Sequence, residues 1–268
     1  MMPTYTYDNN QADQDWFNPL NWDSNIIPDS TVDAIVGATC ILSSNAVARS
    51  VLINSGEFTR TASETLTAAS GVTIESDSDV TAAIIGNVTL GAISGTKTLY
   101  VTGNITVTAG NFYGGSVSGT TTISGGDVGG PTLTGAVTMT GGGISGGTIN
   151  GALVTSGSST ISGGTINGAA TIGGTSSISG GDFSGCDRLT WNSTGTFNES
   201  VNVLNLTGTP ITATKAITIQ DTGANGITGS PTVTFNDKAV AEASRDKTGD
   251  GWVPVYNFGG GGGMRGRL

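Results

Sequence analysis

The segment ISGGTINGA occurs twice, at residues 144–152 and 161–169, one 17-residue step apart. Large apolar residues before and within it recur as triplets separated by steps of 5, 5 and 6 residues, namely Val107, Phe112, Val117; Ile123, Val128, Leu133; and Met139, Ile144, Ile149. The next two rounds are longer and are assigned as Val154, Ile161, Ile166 and Ile172, Ile178, Phe183. Self-similarity at a fixed period of this length is the signature of a repeat architecture.

Steps of five and six residues match neither the α-helical period of about 3.6 nor the strand period of 2. They fit a three-sided coil of 16 to 17 residues that turns one large residue inward on each side. Glycine pairs such as Gly146-Gly147 and Gly163-Gly164 fall at the corners, where a tight turn or a positive φ excludes a side chain. Frequent glycine disfavours helices by about 1 kcal/mol each, and its irregular spacing excludes collagen.

The sequence therefore predicts an all-β protein, a β-solenoid (β-helix) in which each coil stacks on the next through main-chain hydrogen bonds. Its inward column is predicted to contain Ile123, Val128, Ile144, Ile149, Ile161, Ile166, Ile178 and Phe183. Earlier in the chain, Ile53, Ile74, Leu90 and Val107 are predicted to stack at steps of 21, 16 and 17 residues. Burial of three small apolar side chains per coil stabilises the fold by less than the conformational entropy lost when the coil is ordered. A homotrimer is therefore predicted.

Six segments are expected along the chain. They are an N-terminal aromatic cap or docking segment (1–33), irregular coils (34–104), a regular glycine-rich shaft (105–186), C-terminal β coils (187–236), a terminal element (237–258) and a flexible glycine-rich basic tail (259–268). Capping is the favoured role for the first segment, because an uncovered first coil exposes both core and strand edge. The first strand is expected at residues 34–36.

Composition excludes several classes of protein. The chain has 268 residues, 44 glycines, a net charge of −10, ten Lys and Arg together and no histidine. So few basic residues argue against nucleic-acid binding. The N-terminus has no basic stretch followed by an apolar one, and no window approaches about 18 apolar residues, so neither a cleaved export signal nor a membrane partner is expected. Cys40 and Cys186 are predicted to be unpaired, because several coils separate them.

Little catalytic chemistry is available in this sequence. Without histidine, no Ser-His-Asp, Cys-His or histidine-metal site is possible. A glycosidase needs two carboxylates about 5–10 Å apart. The early-coil candidates for such a pair are Glu57, Glu64, Glu75, Asp77 and Asp79, and a solvated face is the favoured interpretation of them. We expect no enzyme activity and no cofactor.

Two weaker motifs leave alternatives open. The stretch DKTGDG at 246–251 resembles the start of a calcium loop, but Asn257 stands where the twelfth-position glutamate is needed, so an ordinary turn is favoured and no metal is expected. Threonine pairs such as Thr106 with Thr108 and Thr138 with Thr140 are compatible with an ice-binding array. That motif does not recur at the same phase in every coil.

Two stretches resemble known families. Trp16, Trp22 and the following PDSTVDAIV at 28–36 look like the start of β-helical surface proteins and adhesins of bacteria and their phages. The Gly/Ser/Thr-rich shaft resembles the β-helical virion appendage proteins of tailed bacteriophages: tail fibres, tailspikes and capsid head fibres or decoration proteins. A bacterial cell-surface adhesin is the main alternative, with an ice-binding protein or a polysaccharide-degrading tailspike ranked lower.

This resemblance implies a non-enzymatic virion protein that is assembled in the host cytoplasm. Its implied partners are other copies of the chain, capsid or tail proteins, and a host surface glycan or receptor. One terminal segment would dock on the particle. The docking candidates are Trp16, Phe17, Trp22, Arg265 and Arg267.

Overall fold

A computed structural model describes residues 2–91, 94, 96–183 and 193, together with the backbone of seven further strands between residues 189 and 258. The chain forms two compact units, Met1–Gly135 and Ala136–Leu268. Each unit is built from short parallel strands.

The first unit contains a 3₁₀ helix at Pro19–Asn21 and sixteen strands. The strands are β1 (Thr4–Tyr7), β2 (Asp33–Val36), β3 (Cys40–Leu42), β4 (Ala46–Ala48), β5 (Ser50–Ile53), β6 (Phe58–Arg60), β7 (Thr65–Ala68), β8 (Val72–Ile74), β9 (Val80–Ile85), β10 (Val88–Leu90), β11 (Lys97–Thr102), β12 (Ile105–Val107), β13 (Asn111–Val117), β14 (Thr121–Ile123), β15 (Asp127–Val128) and β16 (Thr132–Leu133).

The second unit contains β17 (Val137–Met139), β18 (Gly143–Ile144), β19 (Thr148–Ile149), β20 (Leu153–Thr155), β21 (Thr160–Ile161), β22 (Thr165–Ile166), β23 (Ala170–Ile172) and β24 (Ser177–Ile178). Its remaining strands are β25 (Leu189–Trp191), β26 (Phe197–Glu199), β27 (Ile211–Ala213), β28 (Thr218–Asp221), β29 (Thr232–Phe235), β30 (Arg245–Asp246) and β31 (Val255–Phe258).

One sheet of the first unit, here sheet A, runs β1-β2-β5-β8-β10-β12-β14, and all its pairings are parallel. Its register places Ile53 beside Ile74, Ile74 beside Leu90, and Leu90 beside Val107. The predicted stack of these four residues is therefore confirmed. The chain enters sheet A one strand earlier than predicted, because β1 pairs along its length with β2.

The other sheet of the first unit, here sheet B, runs β3-β6-β9-β11-β13, with β4 and β7 joining at β9 and with β15 and β16 following β13. Strands β9 and β11 are six residues long and pair over their whole length. The strands of sheet B are therefore twice as long at this point as the three-residue strands elsewhere in it.

The second unit repeats a three-strand coil. Strands β17, β20 and β23 pair in one parallel sheet. A second sheet contains two parallel rows, β18 with β21 and β24, and β19 with β22. The sheets continue into the later strands by the same parallel pairing, as in β23-β25 and β24-β26. The predicted all-β fold of stacked coils, a β-solenoid, is confirmed.

The inward column is the apolar core. Each of the eight residues predicted to form it is at most 2% exposed: Ile123, Val128, Ile144, Ile149, Ile161, Ile166, Ile178 and Phe183. Parallel register places Ile161 beside Ile144 in one neighbouring coil and beside Ile178 in the other.

One position of the proposed repeat was wrong. Val154 is 44% exposed, whereas its neighbours Leu153 and Thr155 are buried. A three-residue strand turns its first and third residues inward, and in register Thr155 stands beside Met139 and Ile172. The Thr155 hydroxyl is satisfied inside the column because Oγ1 accepts a hydrogen bond from the Gly173 N–H at 3.1 Å.

The repeated glycines make the corners of the coil. Gly147, Gly164 and Gly181 lie one coil apart, with φ of 83°, 84° and 111°. This left-handed region is strained for residues with a side chain. A Cβ on Gly164 would also lie 2.9 Å from the carbonyl oxygen of Gly146. Backbone conformation and coil stacking therefore both require glycine at these corners.

Candidate functional site

The N-terminal segment covers the outer edge of β1. The Thr6 N–H donates to Asp23 Oδ1 at 3.0 Å, and the Asp23 N–H donates to the Thr6 carbonyl at 3.0 Å. The Asp8 N–H donates to the Asn21 carbonyl at 3.0 Å. Main-chain groups that the first strand of sheet A would otherwise leave unpaired are thus bonded within the chain.

The same segment also reaches β3 in sheet B. The Ile41 N–H donates to the Gln14 carbonyl at 2.7 Å, and the Trp16 N–H donates to the Ile41 carbonyl at 3.1 Å. The first strands of both sheets therefore receive hydrogen bonds from residues 14–23.

Three aromatic side chains of this segment are buried, since Tyr7, Trp16 and Trp22 are at most 1% exposed. The Trp16 ring packs edge-on against Trp22 at a centroid distance of 4.7 Å and against Phe58 at 6.2 Å. Trp22 Nε1 donates to the Trp16 carbonyl at 2.8 Å. The cluster thus joins the segment to the solenoid core through Phe58.

This geometry changes the interpretation of the docking candidates. The rings of Trp16 and Trp22 lie inside the chain, so they are not available to a partner, whereas Phe17 is half-buried. Arg265 and Arg267 lie outside the described residues. The large apolar side chains that this segment does expose are Met2, Leu20 and Ile26, at 60%, 50% and 55%.

Cys40 and Tyr7 are buried together beneath the aromatic cluster, and Cys40 is unpaired. Cys186 lies outside the described residues. Burial raises the pKa of the Cys40 thiol above its ordinary 9.0 and the pKa of the Tyr7 phenol above its ordinary 10.0. Both groups therefore stay protonated in the folded chain at pH values where the unfolded chain releases their protons.

Stability should consequently fall in alkaline solution. The contribution of Cys40 is complete below pH 9.0, its unfolded pKa, and above that pH it is lost by about 1.4 kcal/mol per pH unit. In the Cys40→Ala variant this loss disappears, while that of Tyr7, beginning near pH 10.0, remains. Urea unfolding of both proteins from pH 7 to 10.5 tests this. The difference in unfolding free energy between the parent and Cys40→Ala should be constant from pH 7 up to the ordinary Cys40 pKa of 9.0 and then shrink. A difference that stays constant over the whole pH range would contradict the expectation.

A second surface lies on the outer side of sheet B in the first unit, where residues of β7, β9, β11 and β13 alternate outward. We call it the tyrosine face and define it by Thr65, Thr67, Thr81, Ala83, Ile85, Thr98, Tyr100, Thr102, Tyr113, Gly114, Gly115 and Ser116. Tyr100 and Tyr113 are 44% and 43% exposed. Ile85 is 43% exposed on the same face.

Tyr100 stands between two small neighbours. Ala83 is its partner on β9 and Ser116 its partner on β13. The Arg60 guanidinium lies over the Tyr100 ring, 4.9 Å from its centroid. Arg60 lies on β6 and Tyr100 on β11, and β9 pairs with both strands.

Tyr113 sits at a β-bulge. Lys97 pairs with Phe112 and Thr98 pairs with Gly114, so Tyr113 is the extra residue of β13. Gly115, two residues after Tyr113, has a φ of 98°, and a Cβ there would lie 1.9 Å from the Leu99 carbonyl oxygen. No larger residue fits at Gly115. Only small residues therefore follow Tyr113 up to the partner of Tyr100, and we call this strip of Gly114, Gly115 and Ser116 the trough.

Lys97 lies beneath this face and is fully buried. Its Nζ donates to the carbonyl oxygens of Ser94, at 2.9 Å, and Ser78. Burial lowers the pKa of Lys97 below its ordinary 10.5, against the opposing effect of the Asp79 and Asp77 carboxylates. No local pattern in the sequence distinguishes this buried cation from a surface lysine.

The early-coil carboxylates have a structural use. Asp77 Oδ1 accepts from the Ser94 N–H at 2.9 Å, and Asp79 Oδ1 accepts from the Thr96 N–H at 2.8 Å. Both side chains are exposed, as are Glu57 and Glu75. Hydrogen bonds from the Ala62 N–H and the Thr61 hydroxyl lower the pKa of Glu64 below its ordinary value.

The described residues contain no cluster of three or more acidic, cysteine or histidine side chains placed to hold a metal ion. The proposed calcium-loop stretch at 246–251 falls outside the described residues except for the backbone of Asp246 in β30. In the second unit a groove of about 340 Å³ lies over the glycine corners, with Ser162, Thr165 and Asp182 among its lining side chains.

A threonine column runs along the outside of sheet A in the first unit. Thr73, Thr89, Thr106 and Thr122 are direct register partners in successive strands. All four are half-exposed or exposed. The threonine motif was expected not to recur at the same phase in every coil. Over these four strands, however, the central residue of each strand is a threonine in register with the next.

These features define a β-solenoid. No protein-family model matches the sequence, and comparisons with curated proteins and with solved structures found no match. Within the part of the chain that the structure describes, no helix is long and apolar enough to span a membrane.

The tyrosine face was missed because sequence inspection followed the inward residues. The signal is nonetheless present in the alternating segments KTLYVT at Lys97–Thr102 and NFYGGSV at Asn111–Val117. Once Leu99 and Phe112 are assigned inward, Tyr100 and Tyr113 must point outward. The pairing of Arg60 with Tyr100 depends on residues 40 positions apart and has no local signal.

Proposed function

We propose that this protein is a non-enzymatic structural protein of a bacteriophage virion. In this proposal it forms a β-helical surface appendage of the tail-fibre or capsid-decoration type and is attached through a terminal segment. The observation that carries the proposal is the stack of short parallel coils whose first strands are bonded by residues 14–23. Such a repeat builds a long surface from few residue types. The resemblance of the Gly/Ser/Thr-rich shaft to phage appendage proteins also supports the proposal.

In this proposal residues 1–33 cap the first coil, with Trp16 and Trp22 filling its open end. Docking on the particle then uses side chains that face outward, Phe17, Leu20 and Ile26, or the basic tail with Arg265 and Arg267. The chain functions as a homotrimer, because side-by-side association buries surface that one thin core leaves exposed.

Cryo-electron microscopy of phage particles labelled with an antibody against residues 1–33 tests the attachment. We expect symmetric appendages on capsid or tail, with the label at the particle-proximal end if residues 1–33 dock and at the distal end if the basic tail docks. Particles that carry no copy of the chain, together with labelling of bacterial cell surfaces, would favour the adhesin instead. Light scattering of purified protein tests the trimer, and a folded monomer at low concentration would contradict it.

Ice binding is a second candidate function, favoured by the threonine column at Thr73, Thr89, Thr106 and Thr122. Parallel strands set its hydroxyl and methyl groups about 4.8 Å apart in a regular row, and a regular row is what a crystalline surface requires. Measurement of thermal hysteresis tests this function. Freezing behaviour equal to that of an inert protein at the same concentration would remove it.

A further inference from the structure

We propose that the trough between Tyr100 and Tyr113 on the tyrosine face binds a neutral oligosaccharide. The inference rests on the proposed function, because it names the class of host-surface ligand that such an appendage would meet. It is argued from ring exposure, from the shape of the trough and from the placement of charge.

The first argument is the availability of two aromatic ring faces. Tyr100 and Tyr113 are each more than two-fifths exposed, although aromatic side chains are mostly buried when packing alone places them. The face of an aromatic ring carries negative charge density, which attracts the C–H bonds on the flat side of a pyranose. Arg60 lies over the Tyr100 ring at 4.9 Å, where it restricts the ring's orientation.

The second argument is the shape between the rings. Tyr113 lies three residues before Ser116, the register partner of Tyr100, so the two tyrosines are offset by about 10 Å along the strands at about 3.3 Å per residue. The small size of Gly114, Gly115 and Ser116 leaves the trough shallow and open. The Thr98 hydroxyl oxygen lies 3.1 Å from the place a Cβ on Gly114 would take, so this hydroxyl borders the trough floor and supplies a hydrogen-bonding group for a sugar.

The third argument is charge. The side chains that border the trough are uncharged. Two described cations lie nearby: Lys97 is buried, with its ammonium group held by main-chain carbonyls, and Arg60 is engaged with Tyr100 and with the carbonyl of Glu64. The chain has a net charge of −10, which repels polyanions at low ionic strength. A neutral ligand therefore fits better than a sialylated, sulfated or uronic-acid glycan.

A glycan array is the direct test, with the purified full-length chain as the probe. The array holds neutral oligosaccharides of three or more residues and acidic counterparts of matched length. We expect binding to a subset of neutral members. Tyr100→Ala and Tyr113→Ala should each weaken that binding by about tenfold, whereas Tyr100→Phe, which keeps the ring, should bind like the parent.

Val47→Ala is the matched control, because Val47 is 42% exposed on the same sheet but lies on β4, away from the trough. Unchanged circular dichroism and unfolding midpoints establish that the variants are folded. The inference would be overturned by any of three results. These are binding to no neutral member, preference for acidic members, and binding by Tyr100→Ala and Tyr113→Ala as strong as that of the parent chain. Glycan binding without association with particles would instead contradict the proposed virion role and leave this site intact.

Discussion

Replacing Ile161 by aspartate should destabilise the second unit by about 4 kcal/mol or more, enough to prevent stable folding. Ile161 is 1% exposed and stands in register between Ile144 and Ile178. A carboxylate at this position has no described cation or donor beside it in the column, and an unpaired buried charge is among the most costly single changes. Urea unfolding followed by circular dichroism measures the loss, and limited proteolysis measures it where no folded baseline remains.

Ser162→Asp is the matched control, one residue along the same segment. Ser162 is exposed, and its hydroxyl makes only a long hydrogen bond of 3.4 Å to the Ile144 carbonyl. The same new charge should therefore cost less than about 1 kcal/mol there. Equal losses from the two substitutions would show that Ile161 does not belong to a dry inward column.

The period of the coil could be predicted because the inward residues are large and the corners are glycine. Ile144 and Ile161 mark the same position in consecutive coils, and Gly147 and Gly164 mark the same corner with φ near 84°. The prediction failed at Val154, the central residue of a three-residue strand, which points outward while Leu153 and Thr155 point inward. The inward place that the repeat gave to an apolar residue is taken by Thr155, and the Gly173 N–H that satisfies its hydroxyl comes from the next coil.

The surfaces that bear on function were harder to predict, because they depend on neighbouring coils. The pairing of Arg60 with Tyr100 requires the strand order β6-β9-β11. Lys97 resembles a solvated lysine in the sequence, yet the register places it between Val80 and Phe112, where two main-chain carbonyls hold its ammonium group. Contacts between coils are absent from any local pattern of residues.

The N-terminal segment shows how one group of residues supports two interpretations. Tryptophans near a terminus are typical both of a cap and of a docking site, and sequence composition does not separate the two. The Trp16 and Trp22 rings are buried, contact each other and, through Trp16, reach Phe58 of the solenoid. A docking role for this segment therefore falls to its outward side chains.

Truncating Trp16 to alanine should accordingly cost about 3–5 kcal/mol of stability in the first unit, the usual loss when a large buried aromatic side chain is removed. The cavity would open beside Trp22 and Phe58, and it would weaken the support for the two main-chain hydrogen bonds that join Gln14 and Trp16 to Ile41. Thermal and urea unfolding, followed by tryptophan fluorescence and circular dichroism, measures the loss.

Leu20→Ala supplies the control for this prediction, because Leu20 is 50% exposed in the same segment and its truncation should change stability by no more than about 0.5 kcal/mol. The two variants also separate the two roles of the segment. If Trp16→Ala kept full stability but lost attachment to particles, Trp16 would be a docking residue and its burial in the cap would be transient. If Trp16→Ala is destabilised while Leu20→Ala stays folded and attaches poorly, residues 1–33 cap the solenoid with their inner side chains and dock with their outer ones.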